Sequence, residues 1–409
     1  MSSANYLTTG SARYIGRVGA LAVALGIGAG LAASPWVASA KPSDSDLSSS
    51  SDTSSAASSS SANPNAPGQN MAVATNGVVR VQHGTATASA TGQGSQAKAT
   101  GADSSATAEG TQAKATVQGT GSHATAIGDY STATVTGDNS KATATNGDYN
   151  TATVAGNESE AIAANGTHNT ATVTGDGSFA GAGADRYFPD GSNNNYNTAT
   201  ATGDGTFADA GAVGSDNIHN TATAISDGTP FTQAEAGVGG SGNSYNTATG
   251  IDGGEAFAAV NGSYNNYNTA TATGERSVAG ASTDGSYNDN NTATATGEQS
   301  AAVAGGLGSN DDNNTAIATT VTGNPSVFAI AGYFGDNNTN NTAIVTNGNN
   351  SIAQAGGGDA VFSGTPGSFN TNNTATADGA DSFASAGAGS DNNDMLAANA
   401  GPGETDIVP

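Results

Sequence analysis

Histidine, cysteine and clustered carboxylates are the side chains that most often carry out catalysis or hold metal ions. The chain contains no cysteine and four histidines, which are His83, His123, His168 and His219. His168 and His219 each lie just before an Asn-Thr-Ala segment, where other copies of the segment carry tyrosine, so we interpret both as loop residues. No Ser-His-Asp set and no metal-ligand spacing stands out. The sequence therefore predicts a protein that is not an enzyme.

Aspartates that follow turn glycines form a second candidate group, comprising Asp129, Asp138, Asp148, Asp176 and Asp204. If these turns stack, their like charges repel one another, and a divalent cation would relieve the repulsion. The EF-hand spacing is missing, and the calcium-binding Gly-Gly-x-Gly-x-Asp nonapeptide is not repeated. We predict solvated charge and no cofactor, with bound calcium as the alternative.

Threonines that alternate with alanine are the third candidate group. We expect them to point outward and to line one flat face. The candidate binding face comprises Thr170, Thr172, Thr174, Thr198, Thr200, Thr202, Thr269, Thr271, Thr273, Thr292, Thr294 and Thr296. Such a threonine grid resembles the binding face of solenoid ice-binding proteins. The alternative interpretation is that threonine is simply well suited to exposed strand positions.

The threonine segments belong to a repeat that runs through most of the chain. Asn-Thr-Ala begins at residues 197, 220, 246, 268, 291, 314, 341 and 373. Polar–apolar alternation with period two is typical of β-strands. The extra residues of longer copies fall mainly after the second strand, where a solenoid tolerates bulging loops. The sequence predicts an all-β fold, a β-solenoid with two short strands per coil of about 19–23 residues.

Asparagine and alanine occupy the opposite parity to threonine and are therefore expected inside the coil. A buried asparagine needs hydrogen-bond partners, and in a stack each copy can bond to the copies above and below. The predicted inward ladder comprises Asn169, Asn197, Asn220, Asn246, Asn268, Asn291, Asn314, Asn341 and Asn373. The partner strand, of which Ser300–Ala304 is one copy, is expected to add inward serine and alanine.

Aromatic residues occupy two further repeated places. Phe179, Phe207, Phe257 and Phe383 share the parity of the outward threonines near the start of the second strand. Tyr196, Tyr245, Tyr267 and Tyr287 precede the first strand, in the long corner loops. We expect these loops to cover the phenylalanines, and a docking patch is the alternative.

Two families resemble the repeat. The spacing Asn-x-Ala-x-Val-x-Gly-x-x-Ser-x-Ala-x-Ala, present from Asn169 to Ala182, is similar to the curlin repeat, although Gly, Asn or Ser stands where curlin has an inward Gln. The segment Ser122–Gly128 resembles head repeats of trimeric autotransporter adhesins. Both resemblances imply a β-solenoid and a structural or adhesive function at a surface.

Composition restricts the classes of fold and partner. The formal net charge is −25, and no Lys or Arg follows Arg276, so the surface repels phosphates and nucleic acid is excluded as a partner. The chain has 59 glycines and only 5% aromatic residues, too few large side chains for an ordinary globular core. A repeat fold is predicted, and a largely disordered acidic protein is the alternative.

The N-terminus predicts export. Residues 1–40 read as a signal peptide, because a short apolar run over 18–31 precedes the small-residue pattern at 38–40. A membrane anchor is the alternative, but the run is short for a span. The segment 13–28 resembles the export leader of many mycobacterial envelope proteins, which implies a secreted or cell-surface location.

The rest of the chain divides into three parts. We predict a Ser-rich disordered linker over 41–70, the solenoid over 71–395 and a disordered tail over 396–409. The predicted function is that of a secreted or cell-surface structural or adhesive protein acting through repeated outward side chains. Its expected partners are other copies of itself or an envelope or host surface, with no integral membrane segment after leader removal. Ice or surface binding is the alternative.

Overall fold

The computed structural model describes residues 70–184, 191–228, 232–275, 277–320, 327–333, 335–357, 367–387 and 394–408. The predicted signal peptide and the predicted linker, except for Asn70, lie outside the described residues. Within the described ranges the chain forms strands, turns and bends, with no helix.

The strands are short and follow one another along the chain. The first ten are β1 (Met71–Thr75), β2 (Val78–His83), β3 (Thr87–Thr91), β4 (Gln96–Thr100), β5 (Ser105–Glu109), β6 (Lys114–Gln118), β7 (His123–Ile127), β8 (Thr132–Thr136), β9 (Lys141–Ala144) and β10 (Thr151–Ala155). The next ten are β11 (Glu160–Ala163), β12 (Thr170–Thr174), β13 (Phe179–Ala182), β14 (Thr198–Thr202), β15 (Phe207–Ala210), β16 (Thr221–Ile225), β17 (Gln233–Ala236), β18 (Thr247–Ile251), β19 (Glu255–Ala256) and β20 (Thr269–Thr273). The last ten are β21 (Thr292–Thr296), β22 (Ser300–Val303), β23 (Thr315–Thr320), β24 (Val327–Ala331), β25 (Thr342–Asn349), β26 (Ser351–Ala355), β27 (Thr374–Ala380), β28 (Phe383–Ala386), β29 (Ala397–Ala400) and β30 (Thr405–Val408).

The strands stack into a solenoid, which confirms the predicted fold class. The first sheet has 16 strands in the order β2-β1-β4-β6-β8-β10-β12-β14-β16-β18-β20-β21-β23-β25-β27-β29. The second side carries a 9-stranded sheet from β19 to β3 and a 5-stranded sheet from β22 to β30. Isolated bridges from Glu255 to Val278 and from Val278 to Ala301 connect these two sheets. The pairing is parallel except around β1, which is antiparallel to β2 and β4.

The core is a column of small side chains between the first sheet and the sheets of the second side. In β12, Ala171 and Val173 are completely buried while Thr172 between them is partly exposed, as period two predicts. Ala171 is in register with Ala152 in the preceding coil and with Ala199 in the following one. Because burying a methyl group contributes only about 1 kcal/mol, the main-chain ladders must supply much of the stability.

The coils change in length along the stack. The register between Gln96 and Lys114 gives a coil of 18 residues, and that between Thr342 and Thr374 gives one of 32 residues. The extra residues do not simply bulge outward as expected. From residue 191, extra residues that the structure describes form a third side, marked by parallel bridges from Asn195 to Ile218 and onward to Asn266. We call the earlier coils two-sided and the later coils three-sided.

The C-terminal segment differs from the sequence prediction. Residues 396–409 were expected to be a disordered tail, but β29 and β30 lie there and pair with β27 and β28. The physical reason is that Ala398 and Ala400 continue the period-two pattern and lie in register with Ala375 and Ala377. Both alanines are buried.

Candidate functional site

The outward threonines form a face on the first sheet, which we call the threonine face. One column of paired threonines runs without a break from Thr132 to Thr374, through Thr170, Thr198, Thr269 and Thr292. A second column, two residues further along each strand, runs from Thr116 through Thr172, Thr200 and Thr271 to Thr294.

A third column is interrupted. It contains Thr174, Thr202, Thr273 and Thr296, and Ile225 and Ile251 separate Thr202 from Thr273. The predicted face residues are partly or fully exposed, and the alanines between them are buried. Neighbouring strands lie about 4.8 Å apart and alternate residues of one strand about 7 Å apart, so the hydroxyls form a regular grid.

The predicted inward asparagines lie inside the coil, and we call them the first asparagine ladder. Asn169, Asn197, Asn220, Asn246, Asn268, Asn291, Asn314, Asn341 and Asn373 are all fully buried. Asn197 N–H donates to Asn169 Oδ1 at 3.0 Å, and the same contact recurs between successive coils. Asn197 Nδ2 donates to the main-chain oxygen of Asn217 at 2.8 Å. Each amide therefore ties its own coil to the next one.

A second asparagine ladder, which the sequence analysis missed, lies on the third side. Its members, all fully buried, are Asn194, Asn217, Asn243, Asn265, Asn288, Asp311, Asn338 and Asn370. Asn217 N–H donates to Asn194 Oδ1 at 3.0 Å, and Asn194 Nδ2 donates to Gly214 O at 2.9 Å. The available signal was an asparagine three residues before each Asn-Thr-Ala segment from Asn197 onward, with Asp311 as the exception before Asn314.

Serine forms the equivalent ladder behind the second sheet of the two-sided coils. Ser140 N–H donates to Ser122 Oγ at 3.0 Å, and Ser159 N–H donates to Ser140 Oγ at 3.2 Å. The hydroxyl of Ser140 donates in turn to Gly156 O at 2.7 Å. Inward serine thus satisfies main-chain groups in the neighbouring coil.

The acidic turns have a structural role. Asp138 Oδ1 accepts the Thr120 N–H at 2.6 Å, and Asp204 Oδ1 accepts the Asp176 N–H at 2.8 Å. Asp129, Asp148 and Asp176 accept main-chain N–H groups from the preceding coil in the same way. Among the described residues no group of three or more His, Cys, Asp or Glu side chains is placed to hold a metal ion.

Asp311 is the one carboxyl in the second asparagine ladder. Its Oδ1 accepts the Asn338 N–H at 2.7 Å, and its own N–H donates to Asn288 Oδ1 at 2.8 Å. Its Oδ2 is buried without a hydrogen-bond partner. Burial raises the pKa of the Asp311 carboxyl to about 8; the Asn338 N–H opposes this, while Asp336 and Asp312 add repulsion. At neutral pH the carboxyl is therefore mostly protonated.

Aromatic rings stack along the corner that precedes the first sheet, and we call this set the aromatic column. It comprises Tyr130, Tyr149, His168, Tyr196, His219, Tyr245 and Tyr267. Successive ring centroids are 4.6–4.9 Å apart. Tyr264 and Tyr287 make a separate stacked pair at the neighbouring corner. Sequence reasoning equated the histidines with the tyrosines but did not predict the stack.

The phenylalanines are separate from this column. Phe179 and Phe257 are buried, and Phe179 stacks on Phe207 with centroids 4.9 Å apart. The tyrosines of the corner loops, in contrast, stay half exposed and stack on histidine or tyrosine rings of neighbouring coils. We expect the corner loops to cover the phenylalanines, but the tyrosine rings of these loops stack on other tyrosine and histidine rings instead.

No protein-family model and no curated protein matches the chain. Function must therefore be inferred from the residues of this chain. The described residues include no helix long and apolar enough to cross a membrane. The chain is a β-repeat protein whose repeated features are the threonine face, two asparagine ladders and the aromatic column.

Proposed function

We propose that the protein is an exported structural repeat protein that adheres to a surface through its threonine face. The observation that carries this proposal is the unbroken threonine column from Thr132 to Thr374, which persists although coil length changes from 19 to 32 residues. The described residues of the third side are added without breaking this column. A regular array of identical groups suits a partner that is itself repetitive.

Export and a non-catalytic role complete the proposal. The leader-like residues 1–40 support an extracellular or cell-surface location, and the absence of cysteine is compatible with it. The expected partner is a cell envelope, a host matrix or another copy of the protein. The described residues form a β-solenoid, so the alternative of a largely disordered chain does not hold for them.

The test is a binding assay with a matched pair of variants. Thr271→Tyr combined with Thr294→Tyr places two bulky rings at paired positions of the threonine face. Thr107→Tyr combined with Thr125→Tyr does the same at paired, outward positions of the second sheet. Co-sedimentation with cell envelopes and with immobilised matrix protein measures adhesion, and analytical ultracentrifugation measures self-association.

We expect the wild-type chain to bind at least one of these partners, and we expect the threonine-face variant to lose most of that binding while the second-sheet variant keeps it. A wild-type chain that stays monomeric and binds neither envelope nor matrix would refute the proposal. Equal losses in the two variants would also refute it, because binding would then not depend on the threonine face.

Binding to ice or to another crystalline surface is a second candidate function. The specific observation in its favour is the regular grid, in which two threonine columns stay in register over consecutive coils. A thermal-hysteresis measurement separates this function from adhesion to biological surfaces. Hysteresis that the threonine-face variant abolishes and the second-sheet variant retains would favour ice binding, and no hysteresis in the wild-type chain would exclude it.

A further inference from the structure

The aromatic column brings tyrosines of adjacent coils into face-to-face contact at the protein surface. Tyr130 and Tyr149 stack with centroids 4.9 Å apart and an interplanar angle of 3°, and Tyr245 and Tyr267 stack at 4.9 Å and 4°. All four rings are 43–55% exposed. The rings are therefore both paired with one another and open to a reagent in solution.

The main chain fixes the spacing of these rings. Tyr130, Tyr149 and Tyr267 each have a φ of 58–59°, in the left-handed region that turns the corner. Tyr149 N–H donates to Asp129 O in the preceding coil at 2.9 Å, and Tyr267 N–H donates to Ser244 O at 3.0 Å. The coil register thus holds each pair in place before any reaction.

Tyrosine is also the side chain that a one-electron oxidant would attack first in this region. The chain has no cysteine, and its only tryptophan is Trp36, within the predicted leader. Met71 and Met395 are oxidised by oxygen-atom transfer to the sulfoxide and do not form stable cross-links. Oxidation of the solenoid should therefore produce tyrosyl radicals within the stacked pairs.

We propose that Tyr130–Tyr149, Tyr245–Tyr267 and Tyr264–Tyr287 are sites of oxidative tyrosine coupling that joins adjacent coils covalently. The third pair is stacked at 5.2 Å with an interplanar angle of 10°, and its rings are 52% and 56% exposed. The co-reactant is hydrogen peroxide used by a one-electron oxidant of the haem peroxidase class. A carbon–carbon link of this kind would restrain the unfolded chain as a disulfide does, in a protein that has no cysteine.

The reaction balances in two stages. Each phenol first gives one electron and its hydroxyl proton to the oxidant. The two phenoxyl radicals then form a bond between ortho carbons, because their singly occupied p orbitals point along the ring normals and face each other in a stacked pair; the bond comes to lie in both ring planes when the rings regain aromaticity. Each ortho carbon loses its hydrogen as a proton, each oxygen regains a proton, and the two electrons and two protons released overall convert one hydrogen peroxide to two waters.

The histidines of the aromatic column decide which tyrosines can couple. Tyr196 stacks on His168 at 4.6 Å on one side and on His219 at 4.8 Å on the other. It is 46% exposed, almost the same as Tyr149 at 47%. Tyr196 therefore lacks a tyrosine neighbour in the column although it is equally accessible. It is the matched control for the stacked pairs.

The experiment treats the full chain, at high dilution, with a haem peroxidase and limiting hydrogen peroxide. Dityrosine fluorescence measures coupling, and mass spectrometry after cleavage at aspartate locates it. Asp138, Asp252 and Asp284 each lie between the two members of one pair, so a linked peptide survives cleavage only if the pair has coupled. We expect linked peptides for the three proposed pairs, each lighter by two hydrogen atoms than its parts.

Two Tyr→Phe variants keep the ring stack and remove the phenol. Tyr149→Phe should abolish the Tyr130–Tyr149 peptide and lower the dityrosine yield, whereas Tyr196→Phe should change neither. His168→Tyr should add a new linked peptide, because it gives Tyr149 and Tyr196 a tyrosine neighbour. Circular dichroism checks that every variant remains folded.

Three results would overturn the proposal. One is a lack of dityrosine in a chain that the oxidant has demonstrably oxidised at other residues. Another is coupling only between different chains, seen as a yield that rises with protein concentration. The third is an equal loss of yield in Tyr149→Phe and Tyr196→Phe, which would mean that exposure and not stacking determines reactivity.

Discussion

The two-sided and three-sided coils fill the same interior in different ways. In the two-sided coils, the inward position near the end of the first-sheet strand is Val117, Val135, Val154 or Val173. In the three-sided coils that follow, the aligned residues are Ala201, Ala224, Gly250, Ala272, Ala295 and Ala318. Val345 and Ala377 continue this column, so valine returns once, and the other longer coils carry smaller apolar side chains here than the two-sided coils do.

The three-sided coils instead add a second column of buried amides. Asn197 Nδ2 donates to Asn217 O at 2.8 Å, so the first ladder is hydrogen-bonded to the main chain of the second. In the two-sided coils the corresponding amide, Asn150 Nδ2, donates to Gly166 O at 2.8 Å. The difference teaches that the stack grows wider by adding a hydrogen-bonded side, in which the buried asparagine side chains are paired with main-chain groups of neighbouring coils.

Asp311 is the exception in the second asparagine ladder, because its Oδ2 is buried without a hydrogen-bond partner. Its replacement should give the largest change in the free energy of unfolding. We expect Asp311→Asn to stabilise the protein at alkaline pH, because an amide at this position can donate from Nδ2 to Gly335 O, as Asn288 donates to Gly308 O at 2.8 Å. The gain above pH 8 should be up to roughly 5 kcal/mol. The free energy of unfolding, measured by denaturant titration at several pH values, checks this.

The sign of the pH dependence follows from the raised pKa. The unfolded carboxyl ionises near pH 4 whereas the folded one stays protonated until about pH 8, so its contribution to stability is complete below pH 4 and is lost as the pH rises to 8. Asp176→Asn, at an exposed turn of the two-sided region, is the matched control for replacing a carboxyl by an amide. A difference between wild type and Asp311→Asn that does not vary with pH would contradict this account.

Substitution within the second asparagine ladder should give the next largest change in stability. Asn265→Ala removes the acceptor of the Asn288 N–H and the donor to Gly285 O, at 2.9 and 2.8 Å. Leaving both groups buried without partners should cost about 3 kcal/mol. Asn266→Ala, at the adjacent and partly exposed position, should cost less than about 1 kcal/mol. Equal small losses, measured by urea unfolding, would mean that the third side is only a surface loop.

Substitutions at the inward position near the end of the first-sheet strand, which is Val154 in one two-sided coil and Ala224 in one three-sided coil, test how the two regions are packed. Val154→Ala should cost about 2 kcal/mol, because the thin core cannot collapse onto the space. The reverse change, Ala224→Val, should also cost about 2 kcal/mol, because the three-sided interior is already filled. Thermal unfolding of both variants checks the pair of values. An Ala224→Val variant that is more stable than wild type would reveal spare volume and contradict the comparison.

The acidic turns should give the smallest effect. Asp204→Ala removes the acceptor of the Asp176 N–H at an exposed corner and should cost less than about 1 kcal/mol, whereas Asp204→Asn keeps an acceptor oxygen and should be close to neutral. Adding calcium should leave the unfolding midpoint of the wild-type chain unchanged. A calcium-dependent increase that Asp204→Asn removes would instead assign these turns to metal binding.

The strands and the first asparagine ladder could be predicted from the sequence, because period two separates Thr172 from Ala171 and Val173 without any knowledge of the fold. The third side could not be predicted in the same way. In its repeat, of which 262–268 is one copy, Tyr264 and Tyr267 adopt left-handed φ values of 60° and 59°. A turn at every third residue removes the alternation on which strand prediction depends.

The stacking of the aromatic column and the burial of Asp311 could not be predicted from the sequence, for related reasons. Ring directions at a left-handed corner are set by the coil register, which neither His168 nor Tyr196 reveals by its own neighbours in sequence. Asp311 resembles any acidic loop residue beside Asp312 until the second ladder is known. Once Asn288 and Asn338 are placed above and below it, its burial and its raised pKa follow.

Hydrogen–deuterium exchange of the third-side segments is the most direct test of the claim that longer coils gain a packed, hydrogen-bonded side. The main-chain N–H groups of Asn243, Asn246, Asn265 and Asn268 donate to the side-chain oxygens of buried asparagines in the preceding coil at 2.9–3.1 Å. Peptides covering 240–246 and 262–268 should therefore exchange as slowly as the adjacent strands β18 and β20. Exchange of these peptides at the rate of an unstructured chain, while the strands stay protected, would contradict the account.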